Sequence, residues 1–128
     1  VAGAVTLKPA PPFSRAMRLI LTRTLSELGF EVSQAASGNE ALTLLPTQGD
    51  QLSLILVDWN MPEMNGLEFV KNIRLDARFA AVPLMMVTTE TEMEQVMTAL
   101  AAGANEYVMK PFTKEIIADK LRLMGVVQ

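Results

Sequence analysis

The chain has 128 residues and contains neither cysteine nor histidine. Without cysteine it has no disulfide, no thiol nucleophile and no thiolate metal site. Without histidine it has no imidazole base, no imidazole metal ligand and no internal phosphohistidine. Aromatic residues are scarce, with one tryptophan, Trp59, and one tyrosine, Tyr107. No apolar run approaches the roughly 18 residues of a membrane span, and the opening VAGAVTLKPAPP lacks the pattern of a signal peptide. The cytoplasm is therefore the expected compartment, with no membrane contact. Basic charge is not in excess either. The net charge of −3 gives no reason to expect nucleic acid or an anionic membrane as a direct partner. There are no internal repeats, and the one biased segment is the cluster Pro9, Pro11 and Pro12.

What is present fits one domain over residues 1–128, with an atypical proline-rich segment at 1–13. Half of the residues are hydrophobic and a fifth are charged, an ordinary balance for a globular fold. The stretch Leu52 to Gly66, LSLILVDWNMPEMNG, organises the rest. Its apolar run stops on Asp58 and gives way to a loop punctuated by Pro62 and Gly66. Such a run, bounded by turn signals, reads as a strand buried on both faces. Asp58 then sits at the carboxyl end of that strand, where ligands bind in open α/β sheets. An aspartate that simply ends a strand and starts a turn is the plainer reading of the same position.

The flanking segments alternate in type. Ala4 to Leu7 reads as a short strand that must end by about Lys8, because proline lacks the donor a central strand needs. Ser14 reads as the cap of a helix carrying Met17, Ile20, Leu21, Leu25 and Leu28, stopped at Gly29. Phe30 to Ala35 is the second strand. Ser37 and Glu40 form a capping box before a short helix with Ala41, Leu42, Leu44 and Leu45. A helix with Leu67, Val70, Ile73 and Arg74 follows the central strand. Leu84 to Val87 is the fourth strand, ending on Thr88 and Thr89. Thr91 and Glu94 open a helix carrying Met93, Val96, Met97, Leu100 and Ala101, closed by Gly103. Tyr107 to Met109 is the fifth strand, ending on Lys110-Pro111. Thr113 caps a last helix with Ile116, Ile117, Leu121 and Met124. The methionines read mainly as core filler. This alternation predicts a parallel sheet covered by helices on both faces.

In a parallel sheet, three strand ends carrying Asp58, Thr88 and Lys110 fall on one edge. Each residue alone has an ordinary structural explanation. Together they supply a carboxylate, a hydroxyl and an ammonium, a set suited to phosphoryl transfer onto Asp58. A carboxylate can act as the nucleophile, and a lysine can neutralise a phosphoryl oxygen as a point charge. The remaining work is positioning and charge stabilisation, assisted by magnesium.

From Ser14 to about Leu123 the sequence resembles a receiver domain of two-component signalling, most of all the stand-alone chemotaxis receivers. DWNMPEMNG at 58–66 resembles the family's phosphoacceptor loop, MVTTE at 86–90 its switch-threonine loop, and AGANEYVMKPF at 102–112 its aromatic–lysine–proline segment. FSRAMR at 13–18 and ELGFEV at 27–32 resemble its first helix and second strand. The resemblance implies a flavodoxin-like, doubly wound, five-stranded parallel sheet of order 2-1-3-4-5. It implies that Asp58 is the phosphoacceptor, that Thr88 binds the phosphoryl group and that Lys110 pairs with it through a cis Lys110-Pro111 bond. Tyr107 is then the aromatic that turns inward on activation. Asn60 offers its backbone carbonyl to magnesium, and Asn60 and Glu90 flank the path of the hydrolytic water. The implied partners are a sensor histidine kinase or phosphotransfer protein, and a target protein on the face formed by the fourth helix, fifth strand and last helix. The chain is not expected to be an enzyme beyond self-catalysed phosphoryl transfer and loss at Asp58.

One departure stands out. The family carries two acids after its first strand that help to bind magnesium, and those positions fall here on Pro11 and Pro12. Magnesium prefers hard oxygen ligands, and no acid precedes Glu27. Asp58 is then the one carboxylate assured to the metal, with Glu63 or Glu90 as substitutes or Lys8 as a charge in the ion's place. Asn65 also stands where the family usually has an aspartate. The first strand, with prolines behind it, is expected to end early or be displaced, opening one side of the pocket. Two further readings compete with a phosphoacceptor switch. One is a degenerate receiver that acts as a phosphate-independent interaction module. The other is a small flavin-binding protein, disfavoured because no phosphate-cradling glycine loop follows the first strand.

Overall fold

The structure, a computed structural model, describes residues 2–7, 15–35, 38–47, 52–58, 66–88, 93–109 and 112–126. Strands and helices alternate as β1 Ala2–Leu7, α1 Arg15–Glu27, β2 Phe30–Ala35, α2 Gly38–Leu44, β3 Leu52–Asp58, α3 Gly66–Leu75, β4 Leu84–Thr88, α4 Met93–Ala102, β5 Glu106–Met109 and α5 Lys114–Leu123. The strands form one sheet of order β2-β1-β3-β4-β5, and every pairing is parallel.

Side-chain alternation divides the core into two layers. On one face, Leu54 and Leu56 of β3, Met85 and Val87 of β4 and Val108 of β5 pack with Leu21 and Leu25 of α1 and Ile117 and Leu121 of α5. On the other, Ile55, Val57, Leu84 and Met86 pack with Ala41 of α2, Phe69, Val70 and Ile73 of α3 and Ala99 of α4. Both faces of β3 and β4 are thus covered. Their continuous apolar runs need that cover and show no polar alternation for the same reason. Among the described residues no helix is long and apolar enough to cross a membrane.

The helix ends follow local chemistry. Gly29, at φ 97°, takes the left-handed conformation that stops α1. Thr113 caps α5 by accepting a hydrogen bond on its side-chain oxygen from the Ile116 amide. Lys114 pairs with Glu27 across α1 and α5. Both side chains are more than half exposed, so this bridge adds little.

The first strand ends at Leu7, within the expected limit of about Lys8. Of the two expected outcomes, an early end or displacement, displacement of β1 does not occur. All six of its residues pair with β2, and it pairs with β3 from Gly3 to Leu7 with a shift of register between Gly3 and Ala4. The described strand ends at Leu7, before the first proline in the sequence, so no proline falls within its described ladder. Ala4 is fully buried, as its central place requires. The methionine reading holds for Met85 and Met86, both 0% exposed, but not for Met97, which is 63% exposed. Ala101 and Ile116 also face solvent. Helical spacing made these residues look internal because α4 and α5 carry apolar residues around more of their circumference than the core covers.

Arg74, at the end of α3, ties three segments together at the amino edge of the sheet. Its guanidinium donates to the Gly103 carbonyl at 3.0 Å, the Phe79 carbonyl at 2.9 Å and the Asn105 side-chain oxygen at 2.9 Å. Asn105 in turn brackets Leu84. Its side-chain oxygen accepts from the Leu84 amide at 2.8 Å, and its own amide donates to the Leu84 carbonyl at 2.9 Å. Burial lowers the Arg74 pKa from its ordinary value, without discharging a guanidinium at neutral pH. The fork fits because Gly103 has no Cβ. At φ 128° an added Cβ would stand 2.7 Å from the Arg74 Cγ. We therefore expect Gly103→Ala to lower the urea unfolding free energy by about 1–3 kcal/mol, and to cost measurably less in an Arg74→Ala background. Equal costs in the two backgrounds would show that the two residues are not coupled.

Candidate functional site

Parallel pairing puts the carboxyl ends of β3, β4 and β5 on one edge, and the register sets them level. Val57, Met86 and Tyr107 form one row across the three strands. Asp58, Val87 and Val108 form the next. Thr88 and Met109 come one step further out. Asp58 and Thr88 are thus neighbours at the ends of adjacent strands, and Tyr107 lies one row behind Asp58.

Both strand-end groups are buried. Asp58 is 1% exposed and Thr88 is 0% exposed. The third buried polar residue among those described, Thr24, has a purely local explanation, since its hydroxyl donates to the Ile20 carbonyl one helical turn back at 2.7 Å. A carboxylate out of water is costly unless charge or hydrogen bonds compensate it. A buried acid beside a buried hydroxyl on a ligand-binding edge therefore marks a candidate site.

Alternation assigns the two groups to different layers. Asp58 has the parity of Leu54 and Leu56, toward α1 and α5, whereas Thr88 has the parity of Met86, toward α3 and α4. Tyr107 shares the layer of Thr88, packed partly buried against the cluster that includes Met86 and Ala99. Thr88 and the tyrosine ring thus share the layer that α4 covers, and Asp58 closes the other side. Lys110, Pro111, Asn60, Glu90, Glu63, Asn65, Lys8, Pro11 and Pro12 lie outside the described residues, as do Ser37 and Ser14. So do the expected cis bond at Lys110-Pro111 and the expected opening of the pocket beside the first strand. Among the described residues, no three acids, histidines or cysteines gather where they could hold a metal ion.

Residues 14–122 match the response regulator receiver domain. The chain belongs to the response regulator receiver family. It is 46% identical over 112 residues to the chemotaxis protein CheY1 of Helicobacter pylori, covering 87% of this chain and 90% of that one. It is also 46% identical over 109 residues to the CheY homolog of Campylobacter jejuni, covering 84% and 83%. Among solved structures, the chemotaxis response regulator CheY4 of Vibrio cholerae superposes with a TM-score of 0.81 at 34% identity, covering 97% of this chain and 98% of that one. The receiver domain of a sensor histidine kinase from Pseudomonas aeruginosa superposes at 0.78 with 24% identity over 97% of this chain and 98% of that one, a likeness of fold. That structure has a magnesium ion coordinated in its active-site cleft. This chain is thus a CheY-like receiver domain, and receivers of this kind are signalling modules that work with histidine kinases and downstream targets.

The receiver carries one group of residues at the start of β5, behind the row of Asp58, that local sequence pattern did not single out. The Lys120 ammonium lies 3.2 Å from a Glu106 carboxylate oxygen and 4.6 Å from the centroid of the Tyr107 ring. Fourteen residues separate Glu106 from Lys120, and no helical or strand period relates them. Arg74 and Asn105, 31 apart, are hidden for the same reason. A substitution pair tests how the buried hydroxyl is held. Thr88→Val keeps the branched shape and is expected to cost about 1 kcal/mol of stability, the net worth of a typical hydrogen bond. Thr88→Ala also removes a buried methyl and is expected to cost about 0.8 kcal/mol more. Urea unfolding of both variants checks the order. A valine variant as unstable as the alanine one would contradict it.

Proposed function

We propose that this receiver is a phosphoacceptor switch in which Asp58 takes the phosphoryl group. The observation that carries the reading is the buried acid at the end of β3 beside the buried hydroxyl at the end of β4. A carboxylate oxygen of Asp58 attacks phosphorus. The bond from phosphorus to the donor's imidazole nitrogen breaks, and that nitrogen keeps the electron pair and gains a proton. The product is an acyl phosphate. The imidazole belongs to a partner histidine kinase or phosphotransfer protein, since this chain has no histidine. Thr88 donates its hydroxyl to one phosphoryl oxygen, and Lys110 neutralises another. Asn60 and Glu90 flank the water that later returns the carboxylate and inorganic phosphate.

Drawing Thr88 toward the phosphoryl group vacates space in the layer it shares with Tyr107, and the ring turns inward. A two-state element biased in this way is what a switch needs. The output is then the face of α4, β5 and α5. The exposure of Met97 on α4 at 63% and Ile116 on α5 at 42% supports a protein partner there, because a flexible methionine adapts to a docking surface. The chemotaxis relatives make a chemotaxis-type role the favoured setting.

The described residues do not by themselves make a magnesium site, since among them no cluster of acids that could hold a metal ion includes Asp58. Pro11 and Pro12 stand where the family has its acid pair. When bound, magnesium would offset the negative charge of carboxylate and phosphoryl oxygens. The same two prolines favour, as a second reading, a phosphate-independent receiver that acts by protein contact alone.

Incubation with acetyl phosphate in excess magnesium, followed by intact-mass measurement, separates the two readings. We expect one added phosphoryl group on the wild type and none on Asp58→Asn. No addition at any magnesium concentration would favour the phosphate-independent module. Magnesium itself is expected to bind weakly. A titration followed by the fluorescence of Trp59, adjacent to Asp58, should show no saturation in the low-millimolar range. Saturation there, abolished by Asp58→Ala, would show that other oxygens replace the missing pair.

A further inference from the structure

β5 is one of the two edge strands of the sheet, with β4 as its one neighbour. Glu106 and Tyr107 are consecutive, so their side chains leave opposite faces. Tyr107 goes to the α3–α4 layer, whereas Glu106 shares the side of Val108, toward α5. Lys120 comes from α5 and yet lies over the Tyr107 ring, 4.6 Å from its centroid. It therefore reaches around the open edge of the sheet to a ring on the other side. One Glu106 carboxylate oxygen holds the arrangement by accepting from the Lys120 ammonium at 3.2 Å and from the Tyr107 amide at 2.9 Å. That amide belongs to an edge strand, which offers such groups no second strand to pair with. Lys120 and Glu106 are 26% and 21% exposed, so their attraction is less screened than that of a surface pair.

We propose that Lys120, anchored by Glu106, is a positioning residue that holds the Tyr107 ring at the outer edge of β5 and so sets how much of the unphosphorylated protein already has the ring turned inward. The proposal rests on the reading of Tyr107 as the switch aromatic. An inward ring leaves the ammonium behind, so the cation–π contact is present in one state and absent in the other. A ligand or contact shifts a two-state equilibrium only through such a difference. The cost of inward rotation is thereby raised by the strength of that contact. Losing a contact at a partly exposed site corresponds to roughly a two- to fivefold change in the ratio of the two states.

Tyr107 is the only tyrosine, so fluorotyrosine labelling of the full chain gives one fluorine resonance that reports this ring alone. Wild type, Lys120→Gln, Lys120→Arg and Glu106→Gln are compared without phosphodonor, and wild type also with acetyl phosphate and excess magnesium. The expected result is that the phosphodonor moves the wild-type resonance. Lys120→Gln moves it part of the way in the same direction without phosphodonor, by a roughly two- to fivefold change in the ratio of states. Glu106→Gln moves it less, and Lys120→Arg, which keeps the cation, leaves it in place. A Lys120→Gln resonance that coincides with wild type overturns the proposal and leaves the phosphoacceptor reading standing, because the wild-type response to phosphodonor still reports that reading. An arginine variant that moves as far as the glutamine one also overturns it, since the cation is then not the cause. If the wild-type resonance ignores the phosphodonor, the switch reading fails and the role of Lys120 in it fails too, whatever the variants do.

Discussion

A carboxylate held out of water at the end of a buried strand constrains everything around it. Asp58 closes a strand whose two faces are covered, so a charge there must be met by compensating charge or hydrogen bonds. Parallel pairing brings the ends of β3, β4 and β5 to one edge in register beside it. A sheet of alternating direction would scatter them. The chemistry of the receiver thus follows from topology. The helices that enforce the parallel crossovers also bury the strands whose ends make the site.

The opposite edge has the complementary task. Arg74, Gly103 and Asn105 tie the end of α3, the turn at Phe79 and the start of β4 into one hydrogen-bonded unit. This unit fixes the carboxyl end of α4, whereas the amino end of α4 lies near the site. From the other layer, the Lys120 ammonium of α5 lies 4.6 Å from the centroid of the Tyr107 ring.

Much of this was readable in the sequence, for identifiable reasons. The apolar run ending on Asp58 has no alternation because both faces are buried, and it marked the strand and its end together. Phe30 to Ala35 and the Thr113 cap were legible because β-branched or aromatic content and cap chemistry are local. The end of the first strand by about Lys8 was legible from the prolines that follow it, whereas displacement, the other expected outcome, did not occur. Leu7 ends the ladder before the first of them. Met97 and Ile116 were misjudged because spacing identifies a helix but not how wide a stripe its neighbours cover. Arg74–Asn105 and Glu106–Lys120 left no local trace, since only the assembled sheet brings them together.

The central claim is that Asp58 is the residue that carries the phosphoryl group. Its most direct test is transfer of a labelled phosphoryl group from the phosphohistidine of a sensor kinase, followed by treatment with hydroxylamine at neutral pH. An acyl phosphate is cleaved by hydroxylamine, whereas a phosphate ester of serine or threonine is not. The account predicts label on the wild type that hydroxylamine releases, and no label on Asp58→Asn. Label that survives hydroxylamine, or that persists on Asp58→Asn, would contradict it.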